Sequence, residues 1–172
     1  MFFFLSSPGK GIEFFRVAQT LGRVLAARKI NVVYGGGSTG LMGIVTTAAY
    51  QGGGEVLGII PRALTQRNIT GKIVGEELRV SSMYEQMVYM LTKSNAFIAL
   101  SGGYGTLEEI SQIFSWAQLN IHQKPIGLLN VNNFFDGLLS FLDHTVEQKF
   151  IPHSVRRLLI YASTVEELID KL

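Results

Sequence analysis

The 172-residue sequence has no cysteine, which excludes disulfide bonds, thiolate metal sites and a cysteine nucleophile. Its three histidines, His122, His144 and His153, do not have the spacing of metal ligands, so we expect no metal. Charged residues make up only 16%, and the net charge of +2 is too small to predict a nucleic-acid partner. No apolar run approaches the roughly 18 residues of a membrane-spanning helix. We therefore expect neither nucleic-acid nor membrane binding.

Apolar residues, by contrast, make up 47% of the chain, and the length predicts a single domain over residues 1–172. A surface with so few charges suggests that another subunit covers part of it, which predicts a homo-oligomer. The opening run Met1-Phe2-Phe3-Phe4-Leu5 lacks the basic start of a signal peptide. We expect a cytoplasmic protein with passive access to the nucleus. An apolar strand that starts at Met1 also predicts a shortened amino terminus.

Strand-length apolar runs alternate with stretches of helical periodicity along the whole chain. Residues 62–81 have no clean period and are predicted as a long loop over the sheet edge. The alternation predicts an α/β fold with a Rossmann-like, doubly wound parallel sheet between two helical layers, a three-layer α/β/α domain. The predicted strands are 2–5, 30–34, 55–60, 96–100, 125–129 and 158–161. The predicted helices are 13–28, one that ends near 50, 82–94, 106–119, 133–148 and 164–172.

Two glycine-rich loops follow predicted strands, and each leads into a predicted helix. The first loop is Gly35-Gly36-Gly37-Ser38-Thr39-Gly40, and the second is Gly102-Gly103-Tyr104-Gly105-Thr106. In such sheets the ligand lies beyond the carboxyl ends of the strands. Glycines let the backbone approach an anion, and the following helix offers free N–H groups and its positive end. The pattern predicts that both loops bind one phosphate, with the Thr106 hydroxyl as a further donor.

Plainer interpretations of these segments remain open. Either loop alone can be a tight strand-to-helix turn. The first loop also fits the G-x-G-x-x-G pattern of dinucleotide-binding proteins, but Glu55 precedes its strand instead of ending it, which disfavours NAD. Glu108 and Glu109 lie in the first turn of the predicted helix, where one of them can simply complement the helix dipole. Because neighbouring helical residues point roughly 100° apart, only one carboxylate can face a ligand, where it could stabilise an oxocarbenium-like ribose or orient a water.

The second loop carries a specific resemblance. The run Ser101-Gly102-Gly103-Tyr104-Gly105-Thr106-Leu107-Glu108-Glu109 resembles the P-G-G-x-G-T-x-x-E signature of the LONELY GUY family, the cytokinin riboside 5′-monophosphate phosphoribohydrolases. Residues 33–43 are similar to the family's first loop, and residues 96–100, 116–119, 121–122 and 124–131 are similar to plant members of the family. The resemblance extends over nearly the whole chain.

This resemblance implies hydrolysis of the N-glycosidic bond of an N6-substituted adenosine 5′-monophosphate to the free base and ribose 5-phosphate. It also implies a homodimer that needs no cofactor, and it makes Glu109 the catalytic carboxylate. Gln86 takes the position of a catalytic arginine. The substrate- and phosphate-binding positions that it implies are Gly36, Gly37, Ser38, Asn68, Met87, Gly102, Gly103, Tyr104, Gly105, Thr106, Leu107, Glu108 and Ser115.

The sequence also departs from the family pattern. Gln86 and Met87 stand where the family has Arg-Lys, Asn68 replaces a glutamate, and Ser101 replaces the signature's proline. Glutamine keeps a hydrogen-bond donor but loses the charge. Loss of an arginine that acts in the transition state should lower the rate by about 10²–10³-fold.

Two other functions therefore stay open at the level of sequence. One is a catalytically inactive member that binds nucleotide or pairs with active homologues. The other is a nucleotide or cofactor carrier of the same fold, such as the molybdenum-cofactor carriers. Helix 82–94 and residues 110–119 carry few polar residues and are the predicted dimer surfaces.

Overall fold

A computed structural model describes residues 2–3, 9–65 and 71–172, with the backbone alone for residues 2 and 3. The strands are β1 (Phe2–Phe3), β2 (Val32–Tyr34), β3 (Val56–Pro61), β4 (Glu76–Val80), β5 (Phe97–Ala99), β6 (Ile126–Leu129) and β7 (Leu159–Ala162). The helices are α1 (Ile12–Ala27), α2 (Gly40–Gln51), α3 (Arg62–Thr65), α4 (Met83–Lys93), α5 (Tyr104–Gln118), α6 (Asp136–Glu147), α7 (His153–Arg156) and α8 (Val165–Lys171), with a 3₁₀ turn at Val131–Asn133.

The strands form one parallel sheet in the order β4-β3-β2-β1-β5-β6-β7. The chain winds outward from β1 in one direction through β4, then crosses back and continues from β5 to β7. This reversal beside β1 is the topological switch point where doubly wound proteins bind ligands. The predicted Rossmann-like α/β class is confirmed.

Two apolar clusters cover the two faces of the sheet. One joins β2, β5 and β6 to α1, α2 and α8 through fully buried residues such as Leu21, Val45 and Leu168. The other joins the sheet to α4, α5 and α6 through residues such as Met90 and Ile113. The layers are therefore α/β/α, as the alternating pattern predicts. Within the described ranges, no helix is long and apolar enough to cross a membrane.

Side-chain hydrogen bonds close the start of helix α4. The Ser82 hydroxyl accepts from the Glu85 N–H at 3.1 Å, and the Glu85 carboxylate accepts from the Ser81 N–H at 2.6 Å. These bonds satisfy otherwise unpaired amides at the helix start. Hydrogen bonds from the hydroxyl and then the backbone N–H of Ser81 lower the pKa of Glu85. Ser82 is the N-cap of the helix.

The prediction of a loop over residues 62–81 is wrong at both ends, and residues 66–70 lie outside the described part of the chain. The segment starts with the short helix α3 and ends in β4, which pairs with β3 from Glu76 to Val80. Strand β4 lies at the sheet edge, where Val80 is its one buried residue. Charged side chains at an edge are a common defence against aggregation, and here they hide the period-2 signal. Helix α7 was also not predicted.

Helix α5 begins at Tyr104, two residues earlier than predicted. Glu108 and Glu109 therefore follow the first turn instead of forming part of it. The effect of a helix dipole falls off within the first turn, so dipole complementarity does not account for this pair. The expectation that they lie in the first turn is corrected.

Candidate active site

The first glycine loop leaves β2 through residues 35–37, all of which are buried. Gly36 and Gly37 have φ angles of 81° and 96°, in the region where residues with a side chain are strained. A Cβ on Gly36 would also lie 2.9 Å from Cβ of Ile60. Glycine is therefore required at Gly36 both by the backbone conformation and by the close approach of β3.

Ser38 is held between two other glycines. A Cβ on Gly43 would lie 2.1 Å from the Ser38 carbonyl oxygen, and a Cβ on Gly71 would lie 2.6 Å from its Oγ. The loop thus folds back onto α2 on one side, and the chain at Gly71 crosses it on the other. The exposed Ser38 lies where these segments meet.

Tyr34, the last residue of β2, fixes the segment that follows Gly71. Its hydroxyl donates to the Val74 carbonyl at 3.0 Å and accepts from the Val74 N–H at 2.6 Å. The ring is fully buried, and this burial is the main cause of the raised pKa of the phenol. Sequence reasoning missed this contact. The available signal was a tyrosine in a buried strand, because a buried tyrosine hydroxyl usually needs a partner.

The second glycine loop follows β5 and opens α5. Among the described residues, apart from its chain neighbours, no atom lies within 4 Å of a Cβ built on Gly103, and Tyr104 is 92% exposed. Gly103 is the N-cap of α5 and, as a glycine, supplies no side-chain capping bond. Thr106 is fully buried, and the expected donation from its hydroxyl to phosphate stays a prediction.

Both loops follow the carboxyl ends of their strands, β2 and β5, which lie on either side of β1. Phe2 is in register with Val33 of β2 and with Phe97 of β5. Two strand spacings separate β2 from β5 by about 10 Å. A single small ligand at the switch point can therefore reach both loops.

Glu109 is the inward member of the acidic pair on α5. Its Oε2 atom has almost no solvent exposure, whereas Glu108 is exposed. This agrees with the expectation that one carboxylate turns inward. Its catalytic role stays a prediction.

Gln86 and Met87 are both buried in α4, 4% and 5% exposed. The Gln86 carboxamide nitrogen donates to the carbonyl oxygens of Gly35, at 3.1 Å, and Ile59, at 2.5 Å. The donor that glutamine retains is therefore directed at the protein backbone, a contact that sequence reasoning could not supply.

Two further predicted site residues, Leu107 and Ser115, are exposed on α5. Leu107 is 39% exposed on α5. The Ser115 hydroxyl, also exposed, donates to the Ser111 carbonyl of its own helix at 2.8 Å. Asn68 lies outside the described residues. The roles assigned to these residues stay predictions.

A separate hollow of about 600 Å³ lies at the amino ends of β2, β3 and β4. Its lining includes Glu55, Glu76 and Lys93. It opens at the amino ends of the strands, whereas the glycine loops follow the carboxyl ends, so it is not part of the candidate site. Across the described ranges, no cluster of three or more histidine, aspartate or glutamate side chains is placed to hold a metal.

The sheet order and the two glycine loops at its switch point define a Rossmann-type α/β protein. A family model described as possible lysine decarboxylase matches residues 42–172. Over 167 residues the chain is 51% identical to probable cytokinin riboside 5′-monophosphate phosphoribohydrolase LOGL6 of Oryza sativa subsp. japonica, covering 97% of this chain and 67% of that protein. It is 49% identical to cytokinin riboside 5′-monophosphate phosphoribohydrolase LOG3 of Arabidopsis thaliana, covering 97% and 78%. The chain belongs to the LONELY GUY family.

Solved structures share the fold at much lower identity. The molybdenum cofactor binding protein of Rippkaea orientalis superimposes with a TM-score of 0.71 at 20% identity, covering 99% of this chain and 91% of that one. The Moco carrier protein of Chlamydomonas gives 0.69 at 19% identity, covering 99% and 91%. At this identity the likeness shows the fold alone.

Proposed function

We propose that the protein hydrolyses cytokinin riboside 5′-monophosphates to the free cytokinin and ribose 5-phosphate. The observation that carries this proposal is the pair of glycine loops at one sheet edge, with Glu109 on the helix that the second loop opens. Identity of 49–51% to named phosphoribohydrolases supports this reaction. The 20% identity to a cofactor-binding protein gives no comparable support to a carrier function.

In this proposal the loop amides bind the 5′-phosphate and so place the ribose beside α5. The Glu109 carboxylate stabilises positive charge as it develops on the ribose and orients the attacking water. Water oxygen bonds to C1′ while the bond from C1′ to the purine nitrogen breaks. The bonding pair leaves with the purine, and the proton released by the water balances its charge.

A hydrolysis assay tests the proposal. Purified protein is incubated with isopentenyladenosine 5′-monophosphate, and the free base and ribose 5-phosphate are separated and quantified. Adenosine 5′-monophosphate serves as the substrate control and Glu109→Gln as the protein control. We expect product from the cytokinin nucleotide and a loss of about 10²–10³-fold in the variant. Wild-type turnover no faster than that of Glu109→Gln would contradict the proposal.

Turnover should nevertheless be slow, because Gln86 and Met87 supply no cation to phosphate or leaving group. The double variant Gln86→Arg with Met87→Lys tests this expectation, since each charge-assisted hydrogen bond is worth about 1.5–3 kcal/mol. A rise in kcat is expected, because the guanidinium adds a charge and still carries N–H donors for the carbonyls of Gly35 and Ile59. If turnover and nucleotide affinity both stay at the wild-type values, the missing cations do not limit the enzyme.

We further propose a homodimer that associates through α4 and α5. Met83 and Tyr84 on α4 are 57% and 69% exposed, and the Tyr84 ring meets Trp116 of α5 edge-on at 6.3 Å between centroids. An exposed apolar surface that spans two helices is typical of a subunit interface. The proposed ligand is a nucleotide, and the proposed location is the cytoplasm with passive access to the nucleus.

A further inference from the structure

Gln86 occupies the point where β2 and β3 separate. The register of these strands runs from Val32 opposite Val56 to Tyr34 opposite Gly58. One step further, the facing residues are Gly35 and Ile59, whose carbonyl oxygens both accept from the Gln86 carboxamide nitrogen. A side chain of α4 thus joins the two strands where their backbone pairing ends.

The orientation of the Gln86 carboxamide follows from its partners. A carbonyl oxygen accepts and never donates, so the nitrogen must face Gly35 and Ile59. Both N–H groups of the amide are used by these contacts. Gln86 is nearly fully buried, and loss of its bonds would leave buried carbonyl groups without these donors, which is costly.

We propose that Gln86 is a positioning residue for the phosphate-binding loop. It holds the carbonyl of Gly35 against β3 and thereby fixes the peptide groups of Gly36 and Gly37 that follow. The inference rests on the proposed function, because it assigns the first glycine loop to the phosphate. Its consequence is that Gln86 contributes to phosphate affinity through loop geometry, without touching the phosphate.

Neighbouring contacts explain why the loop needs this bond. A Cβ on Gly35 would lie 3.5 Å from the Gln86 nitrogen and 3.8 Å from Cε of Met90, so the helix packs directly on the loop. The next two residues have positive φ angles and little intrinsic preference for one conformation. Gln86 is a fixed polar contact at the start of this flexible pair.

The test compares ligands with and without phosphate. Gln86→Met keeps the side-chain length and removes both hydrogen bonds. Calorimetry, with every protein carrying Glu109→Gln to suppress turnover, measures the Kd of isopentenyladenosine 5′-monophosphate, of isopentenyladenosine, and of inorganic phosphate as a competitor. We expect the Kd of the monophosphate to rise about tenfold, the competition by phosphate to weaken, and the Kd of the riboside to stay unchanged. Gln148→Met, at the exposed C-cap of α6, is the control and should match wild type.

Three results would overturn the inference. Gln86→Met could bind the monophosphate as wild type does, or lose affinity equally for nucleotide and riboside, which would indicate general damage. If the wild type binds no monophosphate at all, both the inference and the proposed function are contradicted. If only the difference between Gln86→Met and wild type is missing, the inference is contradicted and the proposed function stands. Should Gln86→Met not fold, Gln86→Asn replaces it, because the shorter amide cannot reach both carbonyls and should show the same phosphate-selective loss.

Discussion

Individual buried side chains of this protein hold its loops in place through hydrogen bonds to the backbone. Tyr34 and Gln86 lie on different elements, yet both bond to backbone atoms of segments around the first glycine loop. Each partner is distant in sequence: Val74 lies 40 residues from Tyr34, and Gly35 lies 51 residues from Gln86. No local pattern encodes such contacts. The sequence therefore predicts the glycines of the site but not the side chains that hold them in place.

Removal of the Tyr34 hydroxyl should destabilise the protein. Tyr34→Phe leaves the N–H and carbonyl of Val74 without their phenol partner, and each lost bond of this kind costs about 0.5–1.5 kcal/mol. We expect a decrease of about 1–3 kcal/mol in the free energy of unfolding, measured by urea denaturation. Tyr161→Phe, at a 48% exposed tyrosine, should leave stability unchanged. An equal effect of the two variants would show that the Val74 contact contributes nothing.

His122 should make stability depend on pH. Its Nε2 is 2.9 Å from the Ile113 carbonyl, and its Nδ1 accepts from the Lys124 N–H at 3.1 Å. This arrangement suits the neutral ring, and burial lowers its pKa below the ordinary 6.5. The unfolded chain then binds the proton more readily, so stability should be complete above pH 6.5 and decrease as the pH falls below it.

The measurement is the free energy of unfolding from pH 5 to 7.5 for wild type and His122→Gln. The variant should lose part of the wild-type slope below pH 6.5. His153→Gln, at an exposed histidine, should keep that slope. Identical slopes in wild type and His122→Gln would mean that the folded state does not disfavour the imidazolium.

At the scale of whole elements, the packing of α1 on α2 depends on one glycine. A Cβ on Gly22 would lie 2.3 Å from the Val45 carbonyl oxygen and 2.7 Å from Cβ of Ala48. Gly22→Ala should therefore push the helices apart and destabilise the protein by about 1–3 kcal/mol. Gly137→Ala lies on α6, where no described residue beyond the helix's own backbone comes within 4 Å of the new carbon, and should be neutral or stabilising by up to about 1 kcal/mol. Thermal unfolding of both variants checks this, and a Tm for Gly22→Ala at or above wild type would contradict it.

Elements with an apolar period could be predicted from sequence, and those without one could not. Helix α1 buries one face, and the short strands β2 and β5 are buried throughout, so their patterns are clear. Strand β4 has one buried residue, since it lies at the edge and pairs on one side. Its place in the sheet follows from pairing with β3, which the sequence of β4 does not show.

At the scale of the whole molecule, the site follows from topology as much as from motifs. Both glycine loops were visible in the sequence as strand-to-helix segments. Their meeting at one edge depends on β1, because it pairs with β2 and β5 at once. A doubly wound sheet has one such switch point, so prediction of the fold class already indicated where the loops would lie. The contacts of Gln86 required the structure.

The association of the whole molecule should depend on the exposed aromatic surface of α4 and α5. A stable dimer needs about 800 Å² of contact per subunit, and Tyr84 lies at the join between the two helices. We expect sedimentation at twice the 19.0 kDa of one chain. Tyr84→Glu places a charge in the proposed interface and should shift the equilibrium to monomer, whereas Tyr50→Glu, on the opposite layer and 57% exposed, should not. A wild-type protein that is monomeric at assay concentration would contradict the proposed dimer. A Tyr84→Glu dimer of unchanged affinity would mean that the interface lies elsewhere.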